Sequence, residues 1–124
     1  MTTRAAVLLL AVAFPPWAWG CGVCVEDKMA ATYDHAVVEH ALAQRRVVVF
    51  CEIQGVVHAR RLRDAAARIA GIDPRSVRTS AAPAAMSFAI DPRVLSAQAA
   101  VAQIQVSVGP TLRLSVLKTL PATP

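Results

Sequence analysis

The segment from Val47 to Ile53 constrains the fold more than any other stretch of this chain. It reads Val-Val-Val-Phe-Cys-Glu-Ile, and β-branched and aromatic residues of this kind favour a strand. Successive side chains of a strand point to opposite faces, and here both faces are apolar in the middle of the segment. We therefore predict a strand that the rest of the domain must cover on both sides.

Glycine and proline residues divide the chain after this strand into further elements. Gly55 ends the strand, Gly71 ends the helix that follows, and Asp91-Pro92 is a typical helix start, with an N-cap and a proline at the first helical position. The first predicted helix runs from about Val57 to Ala70, with Leu62, Ala65, Ala66 and Ile69 on its inner side. A strand around Ser76 to Ser80 and a turn at Ala81-Ala82-Pro83 follow, and then a strand whose inner side carries Met86, Phe88 and Ile90. The last two elements are a helix from Pro92 to about Val108 and a strand with Leu112, Leu114 and Val116. Ile104, Val106 and Val108 also alternate, which leaves a late strand as an alternative there.

The order of these elements is strand, helix, strand, strand, helix, strand. That order is typical of the ferredoxin-like fold, an α+β sandwich in which two helices cover one face of a four-stranded antiparallel sheet. We predict such a domain over residues 45–120, followed by a tail at residues 121–124. The second face of its sheet would be bare unless another part of the chain covers it.

The segment before the domain predicts that cover. Residues 27–44 contain no glycine or proline, and apolar side chains recur every four residues at Met29, Tyr33, Val37 and Ala41. Glu26 and Asp27 suit the positive end of a helix dipole. We predict one amphipathic helix from Asp27 to Gln44, packed on the face that carries Val48 and Phe50.

The first twenty residues have the three parts of a secretory signal peptide. Arg4 precedes an apolar run from Ala5 to Phe14, and small residues follow at Ala18-Trp19-Gly20. Cleavage after Gly20 would place the mature protein in the periplasm or outside the cell. The apolar run of about ten residues is too short for a permanent membrane span. In the alternative processing, Cys21 would receive a lipid anchor.

Charge and composition argue against several functions. Removal of Arg4 with the signal peptide would leave 12 of the 13 basic side chains against 8 acidic ones, a net charge of +4. Aromatic residues are few and the arginines are scattered except at Arg60, Arg61 and Arg63, so no nucleic acid is expected as a partner. No catalytic combination of serine, histidine and carboxylate and no glycine-rich phosphate loop is recognisable, and we predict that the protein is not an enzyme.

Cys21-Gly22-Val23-Cys24 is the motif with the most specific chemistry. Two cysteines at this spacing can hold one soft metal ion or form a small-ring disulfide. The third cysteine, Cys51, lies within an apolar run and is predicted to be a buried small hydrophobic residue.

Two regions of the chain, Val47 to Ile72 and Phe88 to Ile104, resemble the heavy-metal-associated domain, the fold of copper chaperones and of the periplasmic mercury-binding protein. The similar stretches are Ile53-x-Gly55-Val56, the helix end Ala70-Gly71-Ile72, and Phe88-Ala-Ile90-Asp91-Pro92. The resemblance implies binding of copper(I), zinc or mercury through Gly-Met-x-Cys-x-x-Cys in the loop after the first strand. In this chain His58 and Arg61 stand where the two cysteines would be, and arginine is not a metal ligand.

Element lengths suggest that the thiol pair has moved in sequence and not in space. An antiparallel helix of about 17 residues and a strand of eight have similar lengths, roughly 25 Å, so the helix start returns to the far end of the strand. Cys21 and Cys24 would then lie near His58. We predict an exported soft-metal-binding protein with Cys21, Cys24 and His58 as ligands and a metal transporter or another periplasmic protein as partner.

Two other functions remain open for the same pair. A Cys-x-x-Cys at a helix start is also typical of thiol–disulfide exchange, although the thioredoxin pattern has a strand directly before it. The domain could instead be a non-catalytic interaction module, with a structural disulfide at Cys21 and Cys24 or a lipid on Cys21.

Overall fold

The computed structural model describes residues 24–121. The predicted signal peptide, Cys21 and the last three residues lie outside this range. The helices are α1 (Val25–Thr32), α2 (His35–Ala43), α3 (Ala59–Ala67) and α4 (Ala97–Val108), a short 3-10 helix spans Pro74–Ser76, and the strands are β1 (Val47–Gly55), β2 (Arg78–Ala81), β3 (Ala84–Ile90) and β4 (Leu112–Leu120).

The four strands form one antiparallel sheet in the order β2-β3-β1-β4. The predicted strand is thus a central one, with Val49 opposite Phe88 of β3 and Cys51 opposite Val116 of β4. α3 connects β1 to β2 and α4 connects β3 to β4. The protein is therefore an α+β domain, and its strand order is compatible with a ferredoxin-like fold.

One face of the sheet packs against α3 and α4. From β1 it presents Val49, Cys51 and Ile53, which share a buried cluster with both helices. The predicted inner stripe of the α3 segment is confirmed, since all four of its members, Leu62, Ala65, Ala66 and Ile69, are buried. This is the larger of the two hydrophobic cores.

The opposite face packs against α1 and α2. Val48 and Phe50 of β1 share a second buried cluster with Val38 and Ala41 of α2. Tyr33 stacks on Phe50 with ring centroids 6.5 Å apart and ring planes 9° apart. Residues of α1, α2 and their connection therefore lie on this face of the sheet.

The prediction of one unbroken helix over residues 27–44 is wrong. Two helices occupy this region, separated at Tyr33 and Asp34. The carboxylate of Asp34 accepts hydrogen bonds from the backbone N–H groups of Ala36 and Val37, which caps α2. The break shifts the helix register, so Val38 rather than Val37 is the buried residue of this turn.

Polar contacts also fix the N-terminal helices on the sheet. Lys28 of α1 forms an ion pair with Glu52 of β1 at 2.6 Å. At the other end of α1 the hydroxyl of Ser87 in β3 donates a hydrogen bond to the backbone oxygen of Thr32. These two contacts hold α1 in its middle and at its C-terminal end.

The predicted helix bounds around the larger core were partly wrong. α3 is shorter than the predicted segment from Val57 to Ala70, and Gly71, with φ of 99°, lies beyond its end. Asp91-Pro92 does not start a helix, because residues 92–94 form a turn that lays Leu95 over Gly71. α4 begins after Ser96, whose hydroxyl accepts from the N–H of Ala99. The alternative of a late strand at Ile104 to Val108 is excluded, since α4 ends at Val108.

Ser76 links the 3-10 helix to β3. Its buried hydroxyl donates to the backbone oxygen of Asp73 at 2.6 Å and accepts from the N–H of Ala89 at 2.7 Å. The N–H of Asp73 donates in turn to the oxygen of Ala89. A single side chain therefore satisfies a backbone donor at a buried position.

Substitution Ser76→Ala should lower the free energy of unfolding by about 1–3 kcal/mol, because it leaves the N–H of Ala89 buried without a partner. Urea denaturation followed by circular dichroism measures this change. The matched substitution Ser107→Ala removes an exposed hydroxyl that donates to the backbone oxygen of Gln103 in its own helix, and should change stability by less than about 0.5 kcal/mol. Equal losses in both variants would contradict the role given to Ser76.

Candidate functional site

Cys24 lies directly before α1 and is exposed. Its backbone oxygen accepts from the N–H groups of Asp27 and Lys28, so the first turn of the helix holds it in place. The side chains of Glu26 and Asp27 in that turn are also exposed. Cys21, the other half of the predicted pair, lies outside the described residues.

The contacts of α1 determine where Cys24 lies relative to the sheet. Thr32 contacts Ser87, which is opposite Phe50, while Lys28 contacts Glu52 farther along β1. The N-terminal end of α1 therefore lies toward the C-terminal end of β1. Cys24 precedes Lys28 by four residues, about 6 Å of helix rise, and extends farther in the same direction.

His58 follows the same end of β1. The strand ends at Gly55, whose φ of 115° and close approach to Thr111 leave no room for a side chain: a Cβ atom would lie 2.7 Å from the Thr111 oxygen. Residues 56–58 then lead into α3, and His58 is the exposed residue just before this helix. Its side chain makes no capping hydrogen bond.

The structure thus brings Cys24 and His58 to one end of the sheet, but from different layers. α1 packs on the face of Phe50, whereas α3 packs on the face of Cys51. Within residues 24–121 no three histidine, cysteine, aspartate or glutamate side chains are grouped so that they could hold one metal ion. The described part of the chain does not by itself form a complete metal site.

Cys51 is confirmed as a core residue. Its side chain lies in the larger cluster and is 1% exposed. Burial raises the pKa of the Cys51 thiol to about 12 from 9.0, because the thiolate would lose its hydration. Cys51 is therefore a neutral thiol with no access to solvent, unsuited to metal binding or thiol exchange.

Arg61, at the position of the second family cysteine, has a structural contact. Its guanidinium donates to the backbone oxygen of Val108 at 3.3 Å and so joins α3 to the end of α4. The residue is cationic and cannot replace a thiolate ligand.

A cavity of about 210 Å³ beside α2 was not anticipated from the sequence. Residues from distant segments form its walls: Ala36, Val37, His40, Ala41, Asp73, Arg75, Ser76 and Ala89. Two of its polar groups are engaged inside the protein, since Asp73 pairs with Arg46 and Ser76 with Ala89. No local pattern indicates such a cavity, because it exists only once α2 has packed on the sheet.

A scan against protein-family models, a search of curated proteins and a search of solved structures each found no match to this chain. The resemblance to the heavy-metal-associated domain therefore stays a prediction. None of the helices in residues 24–121 combines the length and the apolar character needed to cross a membrane.

Thiol labelling should separate the two described cysteines. In the reduced native protein, iodoacetamide should modify Cys24 at least about a hundredfold faster than Cys51, because Cys51 reacts only after the core opens. Peptide mass spectrometry of a labelling time course gives both rates. In guanidinium chloride the two rates should become similar. Rapid labelling of Cys51 in the native protein would contradict its burial.

Alkaline pH should destabilise the protein through Cys51. The pKa of Cys51 is about 12 in the folded state, higher than the ordinary 9.0. The contribution of the neutral thiol to the free energy of unfolding is therefore complete below pH 9 and is lost as the pH rises toward 12. Ionisation of this one group lowers the free energy of unfolding by at most about 1.4 kcal/mol per pH unit. Urea denaturation over this range should show a shallower decline for Cys51→Ala than for the unsubstituted protein. Parallel declines would contradict the assignment.

Proposed function

We propose that this chain is an exported soft-metal-binding protein that holds copper(I), zinc or mercury through Cys21 and Cys24. The domain that carries the pair is proposed to be ferredoxin-like, of the heavy-metal-associated kind. Residues 1–20 are the proposed signal peptide, and the mature protein would act in the periplasm or outside the cell.

One observation carries the proposal: Cys24 is exposed, and it lies just before the N-terminal end of α1, which extends toward the C-terminal end of β1. A ligand that accepts and releases an ion must be reachable by a donor or acceptor protein. Cys24 meets this condition, and the ion pair between Lys28 and Glu52 holds its helix on the sheet. Thiolates are soft ligands and select copper(I), zinc or mercury over magnesium or calcium.

His58 is the proposed third ligand. It is exposed and makes no capping hydrogen bond. It also follows the C-terminal end of β1, the end toward which the N-terminus of α1 lies. Imidazole is a suitable ligand for copper and zinc beside thiolates. A site with two or three ligands at the surface suits transfer of the ion to a partner, for which a metal transporter is the proposed candidate.

Native mass spectrometry tests the thiol pair. The mature protein, purified from an exporting host, is reduced and titrated with copper(I). We expect one copper ion per chain, and we expect none in the variant Cys21→Ser/Cys24→Ser. The control Cys51→Ala should keep its copper, because Cys51 is enclosed in the core. Retention of copper by the double variant, or its absence from the unsubstituted protein, would overturn the proposal.

The substitution His58→Ala tests the third ligand. It should leave one copper per chain but weaken binding about tenfold in competition with a copper(I) chelator, a loss of about 1.4 kcal/mol. Because His58 is exposed, the melting temperature of the metal-free protein should not change. The matched variant His40→Ala, in α2, should bind copper as the unsubstituted protein does. Equal affinities in all three proteins would remove His58 from the site.

A further inference from the structure

The charges of the described residues are unevenly distributed over the two helical layers. Four of the eight acidic side chains lie in α1 and α2 or between them: Glu26, Asp27, Asp34 and Glu39. The segment of α3 and the turn after it carries four arginines, Arg60, Arg61, Arg63 and Arg68, against the single carboxylate of Asp64, a local charge of +3.

These four arginines have no acidic partner among residues 24–121. The ion pairs of this range join Lys28 to Glu52, His35 to Glu39, Arg46 to Asp73, Arg78 to Asp34 and Arg93 to Asp91. All of them lie outside the α3 segment. Its arginines are exposed, so the layer presents uncompensated positive charge to solvent.

The neighbouring helix α4 contributes an uncharged surface. None of its 12 residues is charged, and Val106 on its outer side is 84% exposed. α4 runs antiparallel to α3, since its C-terminal residue Val108 bonds to Arg61 while Ala102 lies near Arg68 and Ile69. An arginine-rich helix therefore lies beside a helix with exposed apolar surface.

A groove separates the two helices. It consists of two adjoining cavities of about 460 and 200 Å³, which share Arg68 and Ser107 in their walls. Val106 lines the larger cavity, and Arg61 and Asp64 line the smaller one. The groove thus combines apolar walls with guanidinium groups at two points along its length.

We propose that this groove binds an acidic peptide segment of a partner protein. Apolar side chains of the segment would occupy the cavity lined by Val106, and its carboxylates would pair with Arg61 and Arg68. Guanidinium groups suit this task, because they bind carboxylates with two parallel hydrogen bonds. The site is distinct from the proposed metal ligands and does not depend on them.

A peptide fits this surface better than an anionic bilayer does. The apolar and cationic groups of the site line two adjoining cavities, so that a single extended segment can contact both along its length. α3 and α4 also contain no tryptophan, tyrosine or phenylalanine, the residues that are enriched where proteins contact a membrane interface.

Fluorescence anisotropy with a labelled synthetic peptide of alternating glutamate and leucine tests the groove. The variant Arg61→Glu/Arg68→Glu should bind this probe at least about tenfold more weakly than the unsubstituted protein, and binding should weaken with added salt. The control Arg113→Glu/Lys118→Glu makes the same change in net charge at exposed positions of β4. Its affinity should fall less than about threefold.

The milder variant Arg61→Gln/Arg68→Gln covers the case in which charge reversal disturbs folding. It should retain the circular dichroism spectrum of the unsubstituted protein and still bind the probe several-fold more weakly. Equal loss in the groove and β4 variants would show attraction by net charge alone and would overturn the proposal, as would loss only in the β4 variant.

Asp64 provides a test in the opposite direction. Its carboxylate lies between the two arginines of the groove wall, so Asp64→Asn should tighten binding of the peptide about two- to threefold at low salt. Unchanged or weaker binding would count against the groove. Vesicles of phosphatidylglycerol serve as the second probe: if they bind the protein through Arg61 and Arg68 while the peptide does not, a membrane surface replaces the peptide and the proposal fails.

Discussion

Burial of β1 on both faces is the interaction on which the rest of this structure depends. Phe50 and Cys51 are adjacent in sequence, and each is 1% exposed, in a different core. Full burial of a side chain such as Phe50 contributes roughly 1.5–3 kcal/mol, so an uncovered second face would forfeit a large part of a small domain's stability. The N-terminal helices are therefore an integral part of the fold.

The same packing decides the chemistry of the cysteines. Cys51 points into the larger core, where loss of hydration keeps its thiol neutral. Cys24 precedes the helix that covers the opposite face, and it is exposed. The two thiols thus differ in their access to reagents, because Cys51 is buried and Cys24 is exposed.

The outer surfaces of the two helical layers differ in charge for a related reason. Carboxylates of α1, α2 and their connection are partly used to fix these helices, as in the pair between Asp34 and Arg78. α3 packs on the sheet mainly through the buried apolar residues Leu62, Ala65 and Ala66, and none of the ion pairs found within residues 24–121 involves this helix. The solvent-facing side of α3 can therefore carry arginines, and these arginines form the proposed recognition surface.

Local patterns by themselves determined the strand at Val47 to Ile53, the inner stripe of the α3 segment, the core position of Cys51 and the order of the elements. These depend on side-chain alternation and periodicity, which are properties of neighbouring residues. Two predictions failed where local signals competed. Asp34 caps a new helix in the middle of an otherwise helical pattern, and Asp91-Pro92 forms a turn because Leu95 packs over Gly71. Only the tertiary structure decided these points and the groove between α3 and α4, because contacts between residues far apart in sequence determine which local signal prevails.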